Sequence, residues 1–256
     1  MATKIIAVSN QKGGVGKTTS AVSLAAAFAA EGKKTLLIDM DPQCNATVAC
    51  GVAHREIEFG VMEVLTGGKA PEDVCLHLPD SGIWLLPANE NLSADDKDLA
   101  AQAARHSALQ RHCTGWIEGF DWVFIDCPPT LNILTVNALV AAQYVLVPIQ
   151  CEYFALEGVG ALLDTVGQVR QSINPDLRVA GFLRTMFDPR SRLTREVSDN
   201  LIEHLKGLVF NEIIPRNVRL AEAPSYGQPI VQYDPRSKGA LAYQAVAQEL
   251  AQRLGN

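Results

Sequence analysis

A tight glycine-rich curve joins an apolar run at residues 4–9 to an alanine-rich stretch at residues 18–31, and it reads Asn10-Gln11-Lys12-Gly13-Gly14-Val15-Gly16-Lys17-Thr18-Thr19. No other segment constrains the folding of this chain so far. Glycines at 13, 14 and 16 strip side chains from the curve, so successive backbone N–H groups turn towards a bound anion. A helix starting directly afterwards adds its own unpaired donors. Strand, loop and helix together make a phosphate cradle from Gly13, Gly14, Val15 and Gly16. Lys17 reaches the terminal phosphates as a positive charge, the Thr18 hydroxyl fills one position around Mg²⁺, and Thr19 continues the phosphate-binding run. The common spacing of such a loop puts glycine at position 11, where this chain has Gln11, and Lys12 follows it. That second lysine is either a solvated surface charge or an additional phosphate ligand.

Further apolar or β-branched runs occur at residues 34–38, 84–86, 122–125, 144–147 and 179–183, with stretches long enough for crossover helices at 95–112, 131–142 and 156–172. The runs lack polar alternation, as strands do when helices cover both faces. The rhythm predicts an α/β fold, a doubly wound and mostly parallel sheet with helices on both faces, and it places the ligand-binding loops at the C-terminal edge of the strands. Residues 240–254 carry charge only at Glu249 and Arg253 and read as a docked C-terminal helix. With 256 residues, 48% of them hydrophobic, and no repeat or low-complexity linker, one domain spanning residues 1–256 is expected.

The run at 34–38 continues into Asp39-Met40-Asp41-Pro42-Gln43. Carboxylates two apart in an extended segment point the same way, so Asp39 and Asp41 both enter the nucleotide edge if the strand geometry persists. Asp39 then supports the loop threonines and a metal shell, and Asp41, farther out, orients a water near the γ-phosphate. The competing reading is an acidic strand end in solvent. A later strand ends in Val123-Phe124-Ile125-Asp126-Cys127. There Asp126 holds Mg²⁺ directly or through water, while Cys127 reads as packing.

The chain's 6 cysteines include no CxxC pair, which suits a reducing compartment. The stretch 131–148 is broken by Asn132, Asn137 and Gln143, making it a poor membrane span. A cytoplasmic protein without a membrane partner is expected. The formal net charge of −6 excludes a globally basic nucleic-acid coat. Charge is nevertheless divided unevenly: residues 1–169 carry a balance of −9 and residues 170–256 a balance of +3.

The loop Lys12 through Thr18 resembles the KGGxGKT motif of ATPases of the deviant Walker A type, a P-loop NTPase group that includes MinD, ParA and Soj. The segments 39–47, 147–158 and 214–225 resemble the ParA/Soj branch in particular, and the resemblance covers nearly the full chain. Cys44 departs from the glycine usual in that branch between Gln43 and Asn45. The resemblance implies that ATP and Mg²⁺ bind here, that two subunits dimerise across two ATP molecules, and that Lys12 contacts the nucleotide held by the partner. It gives Asp41 the hydrolytic role, with Lys12 and Lys17 also in the catalytic set. It further implies a nucleoid-associated partitioning cycle: the ATP homodimer binds double-stranded DNA nonspecifically and releases it after hydrolysis stimulated by a ParB-like centromere-binding protein.

Arg184, Arg190, Arg192 and Arg195 form one basic group and Arg216, Arg219, Arg236 and Lys238 another. If folding brings them to one edge, a dimer doubles that surface towards DNA phosphates. The family pattern points to Arg190 and Arg219 as backbone contacts, whereas Arg192 and Arg195 are equally well read as solvated charges at a helix start. Met186, Pro215 and Arg216 resemble the adenine side of such sites, though ordinary packing explains them as well. Two other functions fit the loop: a MinD-like membrane-associated positioning ATPase, and a metabolic P-loop enzyme that phosphorylates or activates a small molecule. The first needs a terminal amphipathic basic helix, which residues 240–254 fit poorly.

Overall fold

The computed structural model describes residues 2–94, 105–153 and 155–255. Strands β1 (Lys4–Val8), β2 (Thr35–Asp39), β3 (Leu76–Leu78), β4 (Ile83–Leu86), β5 (Trp122–Asp126), β6 (Tyr144–Gln150), β7 (Arg178–Phe187) and β8 (Val209–Pro215) form one sheet. Their order is β3-β4-β2-β5-β1-β6-β7-β8. The antiparallel pair among them is β3–β4; every other neighbouring pair is parallel.

Alternate residues of the central strands feed two separate cores, which is why these strands read as continuous apolar runs. From β5, Val123 and Ile125 enter one core, whereas Trp122 and Phe124 enter the other. Helices Ala108–Ile117, Ile133–Ala141 and Ala155–Ser172 supply the first core. The second is filled by α1 (Lys17–Ala30) and the C-terminal helix Lys238–Arg253. Small alanines let α1 approach the sheet closely, and Phe28 stacks on Trp122 with ring centroids 4.0 Å apart. The doubly wound architecture is therefore as expected.

Two strands escape the pattern. β3 is only three residues long, and β8 carries exposed Asn211 and Glu212 at the sheet edge. The expected helix at 95–112 has residues 95–104 outside the described set, and the helix seen runs from Ala108 to Ile117. The C-terminal helix buries Ala240, Tyr243, Val246, Ala247 and Leu250. Its Glu249 accepts the backbone N–H groups of Asn211 and Glu212, both at 2.9 Å, on β8. Among the described residues, no helix is long and apolar enough to cross a membrane.

Candidate functional site

The glycine loop leaves β1 in the middle of the sheet and is strapped to both neighbouring strands on one side. Asn10, only 5% exposed, donates from Nδ2 to the Pro148 carbonyl of β6 at 2.8 Å, and its Oδ1 accepts the Lys12 N–H at 3.0 Å. Farther along, Thr185 Oγ1 of β7 donates to the Val15 carbonyl at 2.8 Å. Gly14 and Gly16 take φ of 72° and 86°, a left-handed backbone that costs a side-chain-bearing residue about 1 kcal/mol or more. Lys17 lies buried at the start of α1, and its Nζ donates to the Lys12 carbonyl at 3.1 Å. Burial pushes its ammonium pKa down, while Asp126 and Asp41 pull it back up. Lys12 is exposed at the rim, where its Nζ lies 2.6 Å from Glu152 Oε2.

Asp39 and Asp126 stand side by side, paired in register at the ends of β2 and β5. Asp39 is fully buried; its Oδ1 accepts the Asp41 N–H at 3.1 Å, and its Oδ2 accepts the Thr47 N–H at 2.8 Å and the Thr47 hydroxyl at 2.7 Å. Burial raises its pKa to about 6, against the lowering effect of those bonds. These contacts tie β2 to α2 (Asn45–Ala49), a structural duty that the sequence did not suggest. Asp126 is also fully buried, yet among the described residues neither of its oxygens has a hydrogen-bond partner. The Thr18 side chain lies near enough to favour the charged carboxylate without meeting full hydrogen-bond geometry. Burial, with Asp39 beside it, holds the Asp126 carboxyl well above the usual range. An orphaned carboxylate next to a threonine hydroxyl is an oxygen donor set that fits Mg²⁺. Asp41, 6% exposed, accepts the Gln43 N–H at 3.0 Å on Oδ1.

Cys44 sits at the N-cap of α2 with φ of 55° and ψ of 27°, so the turn keeps its left-handed form without glycine. The Cys44 N–H donates to the Asp41 carbonyl at 2.8 Å and fixes that turn. A cavity of about 260 Å³ opens against Thr18, Thr19 and Ser23 of α1, with Asn45 and Val48 of α2 on one side and Leu220 on the other. Nearby, the backbones of Gly51 and Gly227 touch so closely that a Cβ on Gly51 would stand 2.7 Å from the Gly227 carbonyl oxygen.

Met186, Pro215 and Arg216 come together at the ends of β7 and β8, where Phe187 pairs with Pro215 and the Arg216 N–H donates to the Phe187 carbonyl at 3.2 Å. Met186, at φ of 49°, packs beside Gly16. Arg190 follows β7 and Arg219 follows β8, so the two parallel neighbours deliver both to one edge. Both are exposed and paired: Arg190 grips Asp188 through two 3.0 Å bonds, and Arg219 Nη1 lies 2.9 Å from Glu222 Oε2 with Asp234 at 3.5 Å. Arg216 also faces Asp188, and together with Arg190 it holds that carboxyl below its ordinary range, with hydrogen bonds from Arg190 the main cause. Arg192 pairs with Glu196 at 2.6 Å on the first turn of its helix, and Arg195 is exposed on the same turn. Arg184 leaves the basic group, a correction to the sequence reading. It is 8% exposed and donates to Ser198 Oγ and to the Phe210 and Asn211 carbonyls, because it lies within β7 and points under β8. Asn10, Thr47, Glu152 and Thr185 are the site residues that the sequence reading missed.

Such a loop on such a sheet defines a class, the P-loop NTPases of the deviant Walker A type. A family model described as an AAA domain matches residues 3–179. The sporulation initiation inhibitor protein Soj of Bacillus subtilis (strain 168) is 43% identical over 248 residues, covering 97% of this chain and 98% of Soj. The chromosome partitioning protein ParA of Caulobacter vibrioides (strain NA1000 / CB15N) is 42% identical over 253 residues, covering 98% and 94%. A crystal structure described as cobyrinic acid a,c-diamide synthase from Mycobacterium smegmatis, with bound ADP and magnesium, is 38% identical. It superposes with a TM-score of 0.86 over 98% of this chain and 95% of that one. The chain belongs to the ParA/Soj family of ATPases.

Proposed function

We propose that this chain is a single-domain partitioning ATPase over residues 1–256, working in the cytoplasm on the nucleoid. ATP binds at the glycine loop with Mg²⁺, two copies join across the nucleotides, and the homodimer binds double-stranded DNA without reading its sequence. Hydrolysis to ADP and phosphate, stimulated by a ParB-like centromere-binding protein, releases the dimer. The observation that carries this reading is the contrast between the two loop lysines: Lys17 is buried in its own curve, whereas Lys12 is exposed at the rim of the site.

Each residue then has a task. Amides of Gly13, Gly14, Val15 and Gly16, with Lys17 and Thr19, hold the phosphates. Thr18 and Asp126 hold Mg²⁺, and Asp39 backs them from the adjacent strand end. When bound, Mg²⁺ would supply positive charge to the phosphate oxygens. Asp41 orients the attacking water, and Lys12 from the facing copy completes the charge around the γ-phosphate. Met186, Pro215 and Arg216 flank the adenine, and Arg190 and Arg219 contact DNA phosphates.

DNA binding measured with ATP, ADP and no nucleotide, beside sedimentation of the same samples, tests the cycle. Binding and dimerisation are expected with ATP alone, and Asp41→Ala is expected to hold the ATP dimer on DNA with little hydrolysis. A protein that stays monomeric with a nonhydrolysable ATP analogue overturns the reading. The likeness to a structure described as a diamide synthase supports a second reading, a metabolic ATP-dependent enzyme. Its mark would be ADP release that depends on an added metabolite in a monomer. The buried apolar face of the C-terminal helix argues against membrane attachment through that helix.

A further inference from the structure

Within one protomer Lys12 already has a partner. Its Nζ lies 2.6 Å from Glu152 Oε2, an ion pair between side chains 42% and 46% exposed. The loop that carries Lys12 and the end of β6 that carries Glu152 lie side by side. Asn10 clamps the Lys12 amide to the Pro148 carbonyl of β6, and Glu152 stands just past the end of the same strand, its N–H donating to the Gln150 carbonyl at 2.9 Å. The Asn10 link therefore sets the Lys12 backbone beside the end of β6, and the side chains span the remaining gap.

We propose that Glu152 is a positioning residue for Lys12: it holds the ammonium within its own protomer and competes with the triphosphate of a facing copy, so it sets the concentration at which two copies join. This rests on the reading of Lys12 as a ligand for the partner's nucleotide. The half exposure decides the strength. A fully buried pair would resist breaking, whereas an exposed one contributes about 1.4- to 5-fold to an equilibrium constant. A symmetric dimer breaks two such pairs, so the latch is worth roughly 2- to 30-fold in the dimer dissociation constant. A triphosphate carries more charge than one carboxylate and wins the lysine, and a diphosphate offers less.

The test is sedimentation of wild type, Glu152→Gln and Glu152→Asp with a nonhydrolysable ATP analogue and Mg²⁺ over a range of protein and salt concentrations. Glu152→Gln is expected to dimerise about 2- to 30-fold more tightly at low salt, with the gap narrowing as salt screens the pair in wild type. Glu152→Asp is expected to return towards wild type. A second readout needs no dimer: amine-directed labelling of Lys12, read by peptide mass, should speed up in Glu152→Gln without nucleotide. Unchanged or weaker dimerisation by Glu152→Gln, or unchanged Lys12 labelling, overturns the latch while leaving the ATP dimer intact. Wild type that never dimerises with the analogue overturns the dimer reading itself, and the latch with it.

Discussion

At the residue scale, Asp126 is a buried carboxylate with no hydrogen-bond partner among the described residues. Such a group destabilises the fold that contains it. Asp126→Asn is therefore expected to raise the stability of the protein without ligand by about 1–3 kcal/mol, read from thermal or urea unfolding. The sign with pH follows from the raised pKa of this carboxyl. A raised carboxyl favours the folded state below its unfolded value and loses that advantage as pH rises, so the gain from Asn should be small near pH 4 and grow towards neutrality. The same variant should lose the Mg²⁺-dependent part of the stabilisation by ATP, because one metal ligand is gone. A stability drop for Asp126→Asn at pH 8 would mean that the carboxylate is compensated in solution. That Lys17, Thr18 and the strand-end aspartates gather at one edge of the sheet was legible, because motif spacing fixes where each leaves its strand or enters its helix. The Thr47 clamp on Asp39 was not, since the contact is made by a chain reversal at Cys44, where a residue with a side chain occupies a left-handed turn.

At the scale of elements, the central strands announce themselves and the edge does not. β1, β2 and β5 are apolar throughout because both faces are covered, whereas β8 sets polar Asn211 and Glu212 at the rim and so breaks the signal. Its attachment depends on the C-terminal helix instead. Glu249 accepts two β8 amides and pairs with Arg253 at 2.7 Å, and Arg253 in turn donates to the Gly207 and Val209 carbonyls. Burial alone would raise the Glu249 carboxyl, but the amides of Glu212 and Asn211 and the Arg253 guanidinium outweigh it and hold the carboxyl below the ordinary glutamate range. A lowered carboxyl stabilises the fold above its unfolded value and loses that contribution as pH falls through the folded one. Glu249→Gln should thus cost about 1.5–3 kcal/mol at pH 7, with the wild-type and variant unfolding curves converging as pH falls through the lowered pKa of Glu249. Parallel curves across that range would assign the loss to packing rather than to charge.

At the scale of the whole molecule, the net charge of −6 and the proposed DNA surface are reconciled by where the charges sit. Parallel β7 and β8 deliver Arg190, Arg216 and Arg219 to one edge, and a twofold dimer would present that edge twice. Each arginine arrives with a carboxylate: Asp188 for Arg190 and Arg216, and Glu222 with Asp234 for Arg219. DNA phosphates must displace those partners, and each freed carboxylate gathers cations again, so contact releases fewer ions than a bare basic patch would. Under the proposed function this favours binding weak enough to depend on two protomers acting together, with dimerisation rather than the patch itself as the switch. Arg219→Glu should therefore abolish most DNA binding while leaving ATP-dependent dimerisation unchanged, as read by gel shift beside sedimentation. Milder Arg219→Ala should lower the slope of log affinity against log salt by less than about two per dimer, the two lost phosphate contacts being partly offset by the carboxylates that no longer have to be freed. An unchanged slope would place the DNA on another face of the molecule.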